Sequence, residues 1–170
     1  MFTLLYKCLV KFHSCFFAII LIAGCTSPAT VPSQKDINNK TWSGRISLQV
    51  QSDAVQSFSG GFELKGQAEN GELTLISPLG NVISILRWSP GEALLDSGHQ
   101  KTQRFSSIDE LMAQATGAVM PIGALFSWLQ GNNANVNGWS ADLSQYGDGR
   151  ISAKRVQPQP SADLRVVLDQ

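Results

Sequence analysis

From Trp42 the chain alternates, with Trp42, Gly44, Ile46, Leu48 and Val50 set against Ser43, Arg45, Ser47 and Gln49. Neighbouring strand residues point to opposite faces, so the pattern predicts a strand with one buried and one wet side. Phe58, Gly60, Phe62 and Leu64 repeat it after a polar turn at 52–56, and residues 72–76 follow a turn running from Gly66 to Gly71. Val82 to Trp88 read as a fourth strand, apolar on both faces, which Pro90-Gly91 ends; short strands are predicted at 92–97 and 100–105. The period then becomes helical. Ser107 and Glu110 fit a capping box in which each satisfies the other's free backbone donor. Ile108, Leu111, Met112 and Ala115 follow at helical spacing, with Gly117 as the C-cap. After Pro121, Ile122, Leu125, Phe126 and Leu129 predict a second helix ending near Gly131. Period two returns at Trp139, Ala141 and Leu143, again over 151–156, and at Leu164, Val166 and Leu168. A strand meander, a helix pair and more strands predict an antiparallel sheet with helices on one side. Both helices are too short to be stable alone in water, so their apolar stripes must dock on the sheet.

The first residues have a different character. Lys7 and Lys11 precede an apolar run, Phe16 to Ile22, which ends in Ala23-Gly24-Cys25. A basic start, a short apolar stretch and small residues at a cut site make a secretory signal. The apolar run is about half the length of a membrane-spanning helix. Ile22-Ala23-Gly24-Cys25 resembles the lipobox of bacterial lipoproteins, which implies cleavage before Cys25, a diacylglyceryl group on its thiol and an acylated amine. Thr26, where an aspartate commonly retains lipoproteins in the inner membrane, implies sorting to the outer membrane. Residues 26–41 carry Pro28, Pro32, Ser27 and Ser33 and few apolar groups, the composition of a tether. The predicted organisation is a signal peptide at 1–24, a lipidated cysteine and tether at 25–41, and one domain at 42–170.

Loss of residues 1–24 leaves 146 residues, enough for a single domain with a sizeable core. Cys8 and Cys15 leave with the signal, and acylation of Cys25 removes the last thiol available for a disulfide. The signal holds two of thirteen basic residues and none of thirteen acidic ones, so the mature chain carries a net charge of −2. That balance argues against a nucleic-acid partner. Lys154-Arg155, the adjacent basic pair of the mature chain, reads as a solvated strand end. His99 is the sole mature histidine and sits in a polar loop, so neither a general base nor a zinc site is expected. Asp109 and Glu110 belong to the first turn of a helix, where they favour its dipole. No catalytic constellation, metal site or cofactor is expected.

The segment Ser77-Pro78-Leu79-Gly80-Asn81 is more telling. Pro78 presets its own φ and Gly80 tolerates a positive one, which favours a tight turn between strands. Leu79 then stands at the tip. It either folds back onto the domain or offers an apolar side chain to a membrane or a lipid ligand.

These features together resemble the LolB family of outer-membrane lipoproteins. The resemblance runs from the lipobox to the C-terminus. It rests on Trp42-Ser43-Gly44-Arg45, Ser77-Pro78-Leu79-Gly80, Pro121-Ile122-Gly123-Ala124-Leu125, Trp128-Leu129-Gln130-Gly131, Gly138-Trp139 with Tyr146, and the ending from Lys154 to Gln170. It implies an incomplete antiparallel β-barrel with a helical lid, near 107–116 and 122–130, over a hydrophobic cavity. It further implies a receptor that accepts acylated lipoproteins from a periplasmic LolA-like carrier and inserts them into the inner leaflet of the outer membrane. Leu79 then corresponds to the exposed leucine that passes cargo to the membrane, with Pro78 and Gly80 shaping its loop. A monomer in contact with outer-membrane lipid is expected. The chain departs from the family in its short Asn-rich link at 130–138, where relatives usually carry additional strand; a lost hairpin would open the barrel further. The alternative is an outer-membrane lipoprotein that binds other lipids or scaffolds an assembly without inserting cargo.

Overall fold

The structure, a computed structural model, describes residues 40–52, 56–98, 101–136 and 138–170. Cys25 and His99 lie outside the described residues. Six strands come first: β1 (Thr41–Gln51), β2 (Gln56–Gly66), β3 (Gly71–Ile76), β4 (Val82–Ser89), β5 (Glu92–Asp96) and β6 (Gln103–Phe105). Two helices follow, α1 (Ile108–Thr116) and α2 (Ile122–Leu129), then β7 (Trp139–Asp142), β8 (Arg150–Arg155) and β9 (Ser161–Leu168). All pairings are antiparallel, in the order β6-β5-β4-β3-β2-β1-β9-β8-β7. The sheet does not close into a barrel, and β6 and β7 are left as edges.

The period-two pattern determines which side is buried. Leu48 lies opposite Leu164, and Ile46 opposite Val166, all four facing the core with Val50, Phe62 and Leu64. Each such side chain contributes about 1.5–3 kcal/mol through burial. The wet face carries Ser43, Arg45, Ser47 and Gln49, as alternation requires.

Inside the curve of the sheet lies α2. Its predicted stripe of Ile122, Leu125, Phe126 and Leu129 is buried, but so are Ala124 and Trp128. The stripe is wider than helical spacing showed because strands from both halves of the sheet reach this helix. Phe126 meets Trp42 edge-on at 5.5 Å and Trp88 at 6.2 Å, and Trp128 lies 6.1 Å from Trp139. Trp42 Nε1 and the Tyr146 hydroxyl both donate to the Leu129 carbonyl, at 3.1 and 3.2 Å. These bonds occupy an acceptor that the end of the helix would otherwise leave free. Trp128 is fully buried, so Trp128→Ala is expected to lower stability by about 3–5 kcal/mol. Denaturant unfolding followed by circular dichroism measures this directly.

One reading of the sequence is corrected. Lys154 is exposed and lies 3.7 Å from the Asp163 carboxylate, as a solvated strand end should. Arg155 is not solvated; it is 7% exposed. Alternation turns it to the same side as Ala153 and Ile151, where its Nε donates to the Pro158 carbonyl at 3.0 Å and its Nη1 to Val119 at 3.1 Å. Trp139 Nε1 donates to the same Val119 carbonyl at 3.2 Å, so the corner between the helices is clamped to β7 and β8.

Candidate functional site: an apolar mouth beside a protruding loop

Between β3 and β4 the chain makes the tight turn that Pro78 and Gly80 predict. The Gly80 amide donates to the Ser77 carbonyl at 2.9 Å, and the Ser77 amide to the Asn81 carbonyl at 2.8 Å. The Ser77 hydroxyl accepts from the Asn81 amide at 3.1 Å. Gly80 takes φ +86°, in the left-handed region where a β-carbon is costly. The turn holds Leu79 out in water at 88% exposure. Val82 and Ile83, the first residues of β4, are also exposed, at 57% and 43%. Together they make an apolar tip, and a slip in the pairing of β3 with β4 between Leu75 and Ile76 lies at its root.

A second apolar feature lies on the same rim. Ile76 sits opposite Gly61, while β2 extends past the end of β3 as far as Gln56. The loop therefore leaves the sheet toward the hairpin end of β1 and β2. There Leu48, Val50, Phe58 and Ala115 line an opening of about 90 Å³ at the C-terminal end of α1. Pockets that hold drug-sized ligands measure about 300–1,000 Å³. At this size the opening is too small for a drug-sized ligand, and Ala115 and Thr116 of α1 form one side of it.

The two helices differ in how firmly they are held. On α1 only Leu111 and Met112 are buried, and the helix packs on β5 and β6. It begins at Ser107, whose hydroxyl accepts from the Glu110 amide at 3.1 Å, and ends at Gly117 with φ +72°. The other half of the predicted capping box is shifted by one residue. Glu110 Oε2 accepts from the hydroxyl and amide of Ser106, at 2.6 and 2.8 Å, rather than from Ser107. Lifting α1 would expose two core side chains, costing about 3–6 kcal/mol, while the clamp on Val119 holds the following corner.

The bonds from Ser106, first from its hydroxyl and then from its amide, hold the Glu110 carboxyl below the usual glutamate value. A group whose folded-state pKa is depressed adds stability above its unfolded value and loses it as pH falls through the folded one. The N-terminal turn of α1 is therefore expected to loosen as pH falls through that lowered value, below the ordinary glutamate range. Amide exchange at Leu111 and Met112 should show the loosening, and Glu110→Gln should make exchange there independent of pH over that range once intrinsic rates are subtracted.

An open antiparallel half-barrel filled by one apolar helix, flanked by a second and bearing an exposed apolar tip is the architectural class to which the chain belongs. Comparison with known proteins narrows the class. Residues 40–165 match the family described as outer membrane lipoprotein LolB. The outer-membrane lipoprotein LolB of Ralstonia nicotianae is 30% identical over 193 residues, covering 90% of this chain and 92% of its own. That of Bordetella petrii is 26% identical over 174 residues, covering 88% and 87%. That of Cupriavidus taiwanensis is 29% identical over 121 residues, covering 69% of this chain and 60% of its own. The chain belongs to the LolB family, outer-membrane lipoproteins that receive lipoproteins from the carrier LolA and insert them into the outer membrane.

Leu79, Pro78 and Gly80 thus share one turn, and the structure adds the mouth on the same rim. Sequence reading did not single out that mouth. Its signal was present in Phe58 and Ala115, apolar residues at the ends of their elements, but periodicity alone does not say that these ends meet.

Proposed function

We propose that this chain takes acylated lipoproteins from a LolA-like carrier and releases them into the inner leaflet of the outer membrane, acting as a monomer on its periplasmic face. The observation that carries this reading is the placement of an apolar mouth and an exposed apolar tip on one rim of the half-barrel. Acyl chains are sheltered as α1 lifts, each buried methylene contributing about 0.8 kcal/mol. The apolar groups uncovered include Leu48 and Val50 of the sheet and Leu111 and Met112 of α1 itself, and transfer runs down an affinity gradient that ends in the bilayer. Leu79 touches the bilayer beside the mouth and shortens the wet path between them. No covalent step is needed.

Cys25 is the proposed mature N-terminus and bears the lipid. Several acyl chains anchor a protein stably where a single chain binds only marginally. No described helix is long and apolar enough to cross a membrane, so the proposed attachment is through this lipid and the tether of residues 25–41. The filled interior favours a second reading, a scaffolding outer-membrane lipoprotein. Depletion separates them: if the chain is the receptor, acylated lipoproteins accumulate in the periplasm bound to their carrier. Normal outer-membrane localisation of lipoproteins in depleted cells would overturn the receptor reading.

A further inference from the structure

The geometry points to a binding site for a zwitterionic phospholipid headgroup at the root of the Leu79 loop, its phosphate on Arg45 and its ammonium on Asp169. The inference rests on the reading of that loop as membrane-facing and adds which lipid chemistry it recognises. A cleft of about 270 Å³ opens on the wet side of the sheet, lined by Arg45, Ser59, Gly61, Ser77, Pro78 and Asp169 among others. An exposed leucine 88% open to solvent stands above it on the same turn. A membrane that receives Leu79 therefore brings its headgroups to the cleft.

The two charges in the cleft are arranged for a dipolar ligand. Arg45 forms no ion pair among the described residues, whereas Arg87, Arg104 and Lys154 all face carboxylates. The Asp169 carboxylate accepts from the Ser43 hydroxyl at 2.8 Å, and its amide is fixed to the Ser43 carbonyl at 2.9 Å. Ser43 and Arg45 point to the same side of β1, so carboxylate and guanidinium share one wall without meeting. A guanidinium fork suits a phosphate, and a carboxylate suits an ammonium. A simple anion would meet Arg45 but be repelled by Asp169. The headgroup that satisfies both carries phosphate and a hydrogen-bonding ammonium a few bonds apart, as in phosphoethanolamine.

Gly61 supplies an independent observation. It sits in the middle of β2, facing the cleft opposite Arg45. A β-carbon at Gly44 or Gly60 would run into the carbonyl of Val167 or Ile76, so backbone packing accounts for those glycines. At Gly61 the nearest atom to such a carbon is Ile76 Cβ at 3.4 Å, an ordinary contact, and φ is not in the left-handed range. Glycine in a strand interior weakens it and marks close approach by a ligand or another backbone. Here the nearest backbone atom, the Gly44 carbonyl oxygen, stays 3.8 Å away, so backbone packing does not require the glycine.

The test is vesicle co-flotation of the chain from residue 25 onward, carrying Cys25→Ala. Vesicles of phosphatidylcholine are compared with ones containing added phosphatidylethanolamine or phosphatidylglycerol. Phosphatidylethanolamine is expected to strengthen binding, and Arg45→Gln and Asp169→Asn each to remove that gain, about tenfold for one charge-assisted contact. Gly61→Val should fill the cleft and remove it too, with a melting temperature equal to or above that of the parent. On phosphatidylglycerol, Asp169→Asn should strengthen binding by removing a repulsion. Weaker or unchanged binding there, or Asp169→Asn strengthening or leaving unchanged the binding to phosphatidylethanolamine, would overturn the site and leave Arg45 a general cation. The loop reading fails separately, by vesicle binding that is indifferent to Leu79→Glu. Titration with soluble glycerophosphoethanolamine, read from the Gly61 and Ser77 amide resonances, then reports on the cleft without any membrane.

Discussion

Leu79→Glu protein is expected to accept lipoproteins from the carrier at the parent rate and to insert them into vesicles at least about tenfold more slowly. Leu79 is exposed, makes no part of the core cluster, and stands on a turn held by backbone bonds between Ser77, Gly80 and Asn81. Full burial of one leucine contributes about 1.5–3 kcal/mol, enough for a transient contact with the bilayer and too little for an anchor. A glutamate reverses the sign of that contribution, because a charge resists transfer into hydrocarbon. Stability should stay within about 0.5 kcal/mol of the parent, as for other exposed sites. A two-stage assay reads the outcome, with carrier-to-receptor transfer followed separately from receptor-to-vesicle transfer. A large fall in melting temperature, or normal insertion by a stable variant, would end the proposed role of Leu79.

Cross-linking α1 across the mouth is expected to abolish loading. Gln56 and Thr116 line the same opening from the sheet and from the helix. In the Cys25→Ala background no other cysteine survives loss of the signal, so paired cysteines at 56 and 116 can be joined by a short thiol-reactive linker. The joined helix cannot lift, and an opening of about 90 Å³ admits no long acyl chain. Uptake from the carrier should fall to background and return when the linker is cleaved, with unfolding unchanged or delayed. Full loading while the linker is intact would show that α1 is no gate. The corner after α1 should stay in place throughout, since Trp139 and Arg155 both bind the Val119 carbonyl.

The strands and helices were legible because they follow from local periodicity. Alternation from Trp42 to Val50, and the helical spacing of Ile108, Leu111 and Met112, determine which side of each element is apolar without reference to any neighbour. The turn at Pro78-Leu79-Gly80 was legible for a related reason, since its backbone dihedrals are properties of single residues. Arg155 was misread because alternation says only that it faces the core side. Whether a cation can stay there depends on two carbonyls, of Pro158 and Val119, supplied from elsewhere in the chain. The capping box was half right: Ser107 caps the Glu110 amide as read, but the Glu110 carboxylate takes Ser106, one residue earlier, instead of Ser107.

By itself, then, the sequence determined most of the elements, the buried side of the alternating strands such as β1, the Leu79 turn and the expectation of a lipidated Cys25, all of which depend on a few neighbouring residues. The tertiary structure decided the rest. It buried α2 on nearly every side and left α1 held by two core residues, because the curve of the sheet brings Trp42, Trp88 and Trp139 to the first of these sites and not the second. It placed the mouth and the exposed leucine on one rim, a result of β2 outrunning β3. It also set Asp169 beside Arg45, residues far apart in the chain that share a wall through the pairing of β1 with β9. Strand register is a property of two strands at once, so no single stretch of sequence contains it.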